Sequence, residues 1–430
     1  MVNMPRQPIA LFSLIADPAE NLKAGKTRPE VYYLRHLAEA LAQVGWQVDL
    51  FTLGRSPGEP AQVYHAPHCR TVRLPGPDRQ ALQDFARTGT PPHWDTFLGA
   101  FQQFQAKEGG NYPLIHTSDW VSGHWGLHLK QAHNVQWVHT AYGTAAGGVP
   151  VASLGAAIPS PGEPEPGADT IRGQIWAAAD RIIVTVPQDS QPQWRPLQPK
   201  TAPEIIPSGT DIHHFHSLPQ SQARQTLGLD PQVPIVLYVG QIAPHKGLET
   251  LAESCAQLRD RGVAFQLIIV GEEVRQGLQE RDRLEGTLQR LNLSHCTQFA
   301  GYVNHGDLPL YYAAADVCVI PSYYEPFGWV AIESMACGTP VVASQVGGLA
   351  LTIAHEATGL LVPPRDASAL AAGMERVLTD PAWAARLRQS STDRALEFSW
   401  SRVAAQVSDL YRRLLAQSLT GQGGSLISAA

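Results

Sequence analysis

The segment Pro321-Ser-Tyr-Tyr-Glu-Pro-Phe-Gly-Trp-Val-Ala-Ile-Glu-Ser-Met-Ala-Cys-Gly-Thr-Pro-Val-Val-Ala-Ser344 constrains the fold more than any other stretch of this chain. The apolar run before it, Val317–Ile320, reads as a buried parallel strand. Proline cannot continue a central strand, so Pro321 to Pro326 form a loop. Gly328 to Ala336 read as a short helix and Val341–Ala343 as the next strand. Two carboxylates, Glu325 and Glu333, stand with seven residues between them around this junction. Glu325 is placed at the carboxyl end of a strand, where open α/β sheets bind ligands. Glu333 falls about a turn and a half into the helix. Each carboxylate can accept two hydroxyl hydrogen bonds, and the helix N-terminus favours an anion. The pattern suits a ligand with vicinal hydroxyls at both ends and an anion in the middle, as in a nucleotide-sugar.

The rest of the chain repeats the alternation. Strands are expected at Ile9–Ile15, Gln47–Thr52, Thr71–Leu74, Leu114–Thr117, Val135–Val138 and Ile182–Val186, with an amphipathic helix over Glu30–Val44. A second series follows Pro207, with strands at Ile235–Val239, Phe265–Val270, Gln298–Phe299, Val317–Ile320 and Val341–Ala343. Its helices fall near Leu248–Arg261, Leu278–Leu291, Leu308–Ala314, Ala367–Leu378 and Ala382–Phe398. A last helix, Ser401–Leu419, runs into a Gly/Ser tail. Such alternation predicts an α/β chain with two doubly wound parallel sheets. The expected domains are residues 1–205, 206–398 and a C-terminal segment, 399–430. The Pro/Gly-rich stretch Gly155–Asp169 reads as a mobile loop, either a solvent-exposed insertion or a lid over an acceptor cleft.

Composition excludes several classes. Of the 430 residues 44% are hydrophobic, enough for sizeable cores, and the net charge of −6 argues against a nucleic-acid partner. No run approaches a membrane-spanning helix, although a local basic patch leaves room for peripheral membrane contact. The five cysteines form no C-x-x-C pair and read as buried thiols of a reducing compartment. With no signal-peptide pattern at Met1-Val-Asn-Met-Pro-Arg-Gln, a cytoplasmic protein is expected. The histidine groups His213, His214, His216 and His65, His68 with Cys69 lack the ligand spacing of a metal site. No Asp-x-Asp pair occurs, so no metal is expected.

Further along, Gly240 ends a strand and Lys246-Gly247 opens a helix, which places a lysine where the helix dipole already favours an anion. The Glu325–Glu333 segment, Ile206-Pro-Ser-Gly-Thr-Asp211, Tyr238-Val-Gly-Gln-Ile-Ala-Pro-His-Lys-Gly247, Val346-Gly-Gly-Leu349 and Gly359-Leu-Leu-Val-Pro-Pro-Arg-Asp366 together resemble the retaining glycosyltransferases of family 4, also called group 1. Leu34–Ala42 and Ile115-His-Thr-Ser-Asp-Trp120 are similar to the sucrose-phosphate-synthase-like and inositol-phosphate-glycosyltransferase-like branch.

The resemblance implies the GT-B fold, two Rossmann-like domains facing a cleft, with the last helix returning to the N-terminal domain. It implies a hexosyltransferase that moves sugar from a nucleotide-sugar, UDP-hexose above all, to a hydroxyl acceptor: a sugar, sugar phosphate, lipid or small metabolite. No resident cofactor or metal is implied. Glu325 would face the donor sugar and Glu333 the ribose, with Lys246 neutralising the diphosphate. Gly240, Gln241, Gly271, Glu272, Tyr302, Val303 and the backbone of Phe327, Gly328 and Trp329 would line the donor, and Gly347-Gly348 would approach it. Trp329 is equally a core or cleft-wall residue. Front-face attack and double displacement both remain open.

The N-terminal half departs from the pattern. Arg28-Pro29-Glu30 replaces a Gly-Gly-Gln turn, and Tyr142 replaces a cleft histidine; with Arg28 and His116 these form the acceptor-side candidates, His116 reading as structural. Gln241 stands where the family carries an arginine, a bidentate phosphate clamp. These departures motivate an alternative, a catalytically weak nucleotide-sugar-binding homologue.

Overall fold

The structure, a computed structural model, describes residues 6–20, 29–54, 58–108, 110–133, 135–141, 166–186, 199–272 and 278–423. Arg28, Tyr142 and residues 155–165 lie outside them. The described residues divide into two compact units: one contains Thr210–Ser399, the other the described residues through Gly209 together with those from Trp400.

The first unit is built on eight strands: β1 (Gln7–Phe12), β2 (Trp46–Leu53), β3 (Gln62–Ala66), β4 (Cys69–Leu74), β5 (Leu114–Thr117), β6 (Gln136–Ala141), β7 (Arg181–Val184) and β8 (Glu204–Ile205). Their order is β3-β4-β2-β1-β5-β6-β7-β8, and every pair is parallel except β3 with β4. β3 carries no apolar run and was not foreseen; as a half-exposed edge strand its backbone pairing suffices, and His68 at φ 65 turns the chain into β4. Residues Pro166–Asp169, expected in the loop, open the helix Pro166–Ala178 instead. Proline is tolerated at the first position of a helix, which explains the misreading.

One face of this sheet buries an aromatic cluster in which Phe12 stacks on Phe51 and meets Phe101 and Trp125 edge-on. Asp49, a buried charge in β2, accepts from Arg70 Nε at 2.6 Å and from the Tyr112 hydroxyl. Such a charge is tolerated because it is paired and hydrogen-bonded. The helix Trp400–Gly423 belongs to this unit: Trp46 Nε1 donates to Ser408 Oγ at 2.8 Å, and Arg413 pairs with Glu204.

The second unit carries β9 (Ile235–Val239), β10 (Gln266–Val270), β11 (Thr297–Gly301), β12 (Val317–Ile320), β13 (Val341–Ser344) and β14 (Leu360–Val362). They form one wholly parallel sheet in the order β11-β10-β9-β12-β13-β14. Strand order reverses between β9 and β12. One face packs on helices Leu248–Asp260, Leu278–Arg290 and Ala367–Thr379, the other on Leu308–Ala314 and Trp329–Ala336, while Pro381–Leu396 contributes Trp383, Ala384 and Leu387 to the first core and Ala395 to the second. Apolar strands covered on both faces are what continuous apolar runs such as Ile235–Val239 encode.

Gly126, inside the helix Trp120–Ala132, lies against fully buried Trp137: a Cβ there would stand 2.6 Å from the indole. The ring cannot withdraw, since its Nε1 donates to Thr117 Oγ1 at 2.9 Å. Gly→Ala in a helix interior ordinarily gains roughly 0.5–1 kcal/mol. Here overpacking costs about 1–3 kcal/mol and wins. Gly126→Ala is therefore expected to lower the urea midpoint, and Trp137→Phe in the same chain to recover part of the loss.

Candidate active site

The carboxyl ends of the second sheet's strands are laced into one rim by backbone hydrogen bonds. Gly240 N donates to Val270 O, Ile242 N to Glu272 O and Gly271 N to Gly301 O, tying the loops after β9, β10 and β11. Tyr323 N donates to His245 O at 2.8 Å and Gly348 N to Glu325 O at 2.9 Å, adding the loops after β12 and β13. Glycine is required where these loops touch. Gly247 has φ 69, and a Cβ there would stand 2.0 Å from the Pro321 carbonyl oxygen; Gly347 has φ 48 and the same clearance from the Glu325 carbonyl oxygen. Gly271 likewise presses on the Gly240 carbonyl. At Gly271, Gly347 and Gly348 the chain packs closely on neighbouring backbone, which fixes the rim.

Lys246 ends a 3₁₀ turn, Pro244–Lys246, just before the helix Leu248–Asp260. Glu325 stands on the loop after β12. Lys246 Nζ donates to Glu325 Oε2 at 2.7 Å, with both side chains largely buried. This pair bridges β9 and β12, the strands between which the order reverses, and such a switch point is where open α/β sheets place ligands. Beneath it Tyr238 donates its hydroxyl to the Gln241 carbonyl at 2.7 Å, and burial, with the Glu325 charge, pushes its pKa well up. The Gln241 side chain is exposed on the rim.

Glu333 lies in the helix Trp329–Ala336, 7% exposed. Its Oε2 accepts from the Tyr312 hydroxyl at 2.8 Å and its Oε1 faces His305 Nε2 at 3.5 Å. The Tyr312 hydroxyl is held protonated by burial and by the Glu333 charge. Burial lowers the His305 pKa, but the hydrogen bond to Glu333 and the charges of Glu333 and Asp211 outweigh it, and the net direction is up. His214 stacks on His305 and its Nε2 lies 2.9 Å from the His305 carbonyl oxygen. No sequence signal pointed to Tyr312 or His305, because both reach Glu333 only through the fold.

Tyr302, 44% exposed, and half-buried Val303 continue the rim past β11, two residues before His305. Gly328 caps the helix at φ 76, while Phe327 and Trp329 stack at 5.3 Å and Trp329 packs against the core below. Trp329 is therefore a residue at the edge of the core.

His116 stands apart. It is fully buried in the first unit, with Nδ1 bonded to the Tyr411 hydroxyl and Nε2 to Thr140 Oγ1 at 2.7 Å, and burial lowers its pKa to about 3. Its place among the acceptor-side candidates is corrected: both ring nitrogens are consumed in packing β5 against β6 and the C-terminal helix. His65 and His68 bond Thr71 and Gln47, and His216 bonds the His213 carbonyl. Among the described residues no three His, Cys, Asp or Glu side chains gather to hold a metal ion.

A histidine whose folded pKa is raised adds stability that is full below its unfolded value, about 6.5, and is lost as pH rises through the folded value. The stability difference between wild type and His305→Gln is therefore expected to be larger near pH ~5.5 than near pH ~9. Urea titrations at the two pH values measure it. Glu333→Gln is expected to flatten the dependence.

Comparison with known proteins agrees with this geometry. Residues 219–394 match the family model described as glycosyl transferases group 1, and residues 31–191 match a glycosyl transferase 4-like domain. D-inositol 3-phosphate glycosyltransferase 2 of Catenulispora acidiphila is 31% identical over 421 residues, 96% of this chain and 96% of that protein. The solved sucrose-phosphate synthase from Thermosynechococcus elongatus is 42% identical, with a TM-score of 0.76 over 96% of this chain and 100% of its own. Anabaena HepE, solved in complex with UDP-glucose, shares the fold at 18% identity and a TM-score of 0.68, over 95% of this chain and 100% of its own. A chain with this switch-point pair, these two parallel sheets and these relatives belongs to the group 1 glycosyltransferases of the GT-B fold and is an enzyme of sugar transfer.

Proposed function

We propose that the protein is a retaining, metal-independent hexosyltransferase that takes hexose from UDP-hexose and passes it to a hydroxyl of a phosphorylated sugar or polyol. The observation that carries this reading is the Lys246–Glu325 pair at the switch point of the second sheet. The acceptor class is supported by two relatives, one named for D-inositol 3-phosphate and the other for sucrose phosphate. The uridine donor is supported by the UDP-glucose in the HepE complex.

Lys246 binds the donor diphosphate, and binding takes its ammonium from Glu325, freeing that carboxylate to accept hydroxyls of the donor sugar. Glu333, held by Tyr312 on one oxygen, exchanges His305 on the other for a ribose hydroxyl. The acceptor hydroxyl attacks the anomeric carbon on the face the phosphate leaves. The carbon–phosphate-oxygen bond breaks with its electron pair on the phosphate, which takes the acceptor's proton. Front-face attack is favoured because the group bonded to Glu325 is a lysine, whereas a retaining carboxylate pair stands about 5–5.5 Å apart. Lys246 and the nearby helix N-terminus stabilise the charge developing on the leaving diphosphate.

Loss of one preorganised electrostatic donor typically costs about 10²–10³ in kcat. Lys246→Ala is expected to fall by that factor in UDP-hexose turnover and, because Glu325 is left largely buried without its partner, to unfold at a lower temperature while still folding. Glu325→Gln is expected to lose kcat while retaining UDP binding. Wild-type turnover in both variants, measured by UDP release with a panel of phosphorylated sugars and polyols, would remove the site from this rim.

A further inference from the structure

The first unit holds a cavity of about 540 Å³ at the opposite ends of its strands from the carboxyl edge. It opens where β1, β5 and β6 begin, at Gln7, Pro113 and Gln136, and is walled by the helices Asp95–Glu108, Trp120–Ala132 and Trp400–Gly423. Its size falls within the roughly 300–1,000 Å³ of small-molecule sites.

The lining has two properties. First, none of its fourteen described residues is Asp, Glu, Lys or Arg. Second, half of them carry polar side chains of other kinds: Gln102 and Gln105 one helical turn apart, Gln7 and Gln136 at strand starts, and Asn111, His133 and Ser418 around the mouth. None of these side chains hydrogen-bonds another described residue. The floor is apolar, made of buried Phe101, Ile115, Leu129 and Val135.

An amide presents both a donor and an acceptor, which matches a hydroxyl presenting both. An apolar ligand would cover these amides without pairing them, at a cost of about 1–3 kcal/mol for each group left unsatisfied. A phosphate or nucleotide would find no cation to pair with. A ring bearing several hydroxyls and a C–H face satisfies both the amides and the floor. We propose that this cavity is a binding site for a neutral saccharide of one or two rings, additional to the Lys246–Glu325 rim and lined by the other unit.

The test is saturation-transfer NMR on the full chain carrying Glu325→Gln, with maltose, sucrose, glucose 6-phosphate and UDP as probes. At least one neutral disaccharide is expected to bind, with a Kd unchanged by saturating UDP. Gln102→Ala with Gln136→Ala is expected to weaken it at least tenfold while thermal unfolding and UDP binding stay unchanged. No binding of either disaccharide, competition by UDP, a glucose 6-phosphate signal that is lost with the two substitutions, or indifference of the disaccharide to them would each overturn the assignment. Because the readout is binding rather than turnover, failure here leaves the transferase reading intact, and failure of the transferase reading leaves this site standing.

Discussion

The second unit is organised around an ion pair between side chains 79 residues apart, Lys246 and Glu325. It exists because β9 and β12 are neighbours although two strands and their helices intervene in sequence. The rim around it is built so that little can shift. Backbone bonds join five successive loops, and at Gly247 and Gly347 the chains approach so closely that any side chain would collide with a carbonyl. Preorganisation of this kind is what electrostatic stabilisation of a developing charge requires, since charges that are already in place need not reorganise during reaction.

The two glutamates of the segment play physically different parts. Glu325, on a loop, is neutralised by a lysine. Glu333 is sunk deeper and held by a tyrosine hydroxyl on one oxygen and a histidine on the other. A nearly buried carboxylate survives only with such partners. The histidine makes the longer contact and is more exposed.

Much of this was legible in the residues. The strands at Ile235–Val239 and Val317–Ile320 and the helix Leu308–Ala314 match the observed elements residue for residue, because double-sided burial demands uninterrupted apolar runs. The departures have specific causes. β3 is an edge strand without an apolar run, and Pro166 begins a helix that its composition disguised as loop. His116, placed on the acceptor side but reading as structural, packs against Tyr411, which lies 295 residues away and which no local pattern named.

The sequence by itself determined the periodicities, the strand–loop–helix junctions, the spacing of Glu325 and Glu333 and the position of Lys246 before a helix. These are local properties, set by burial pattern and by where proline and glycine fall. Tertiary structure decided which junctions share a rim, that the glycines meet backbone, and that Tyr312 and His305 complete Glu333. It also gathered seven polar side chains around one cavity from strands and helices distant in the chain. Strand order and side-chain partnership depend on contacts across long sequence separations, and the local pattern at either end of such a contact does not specify its mate.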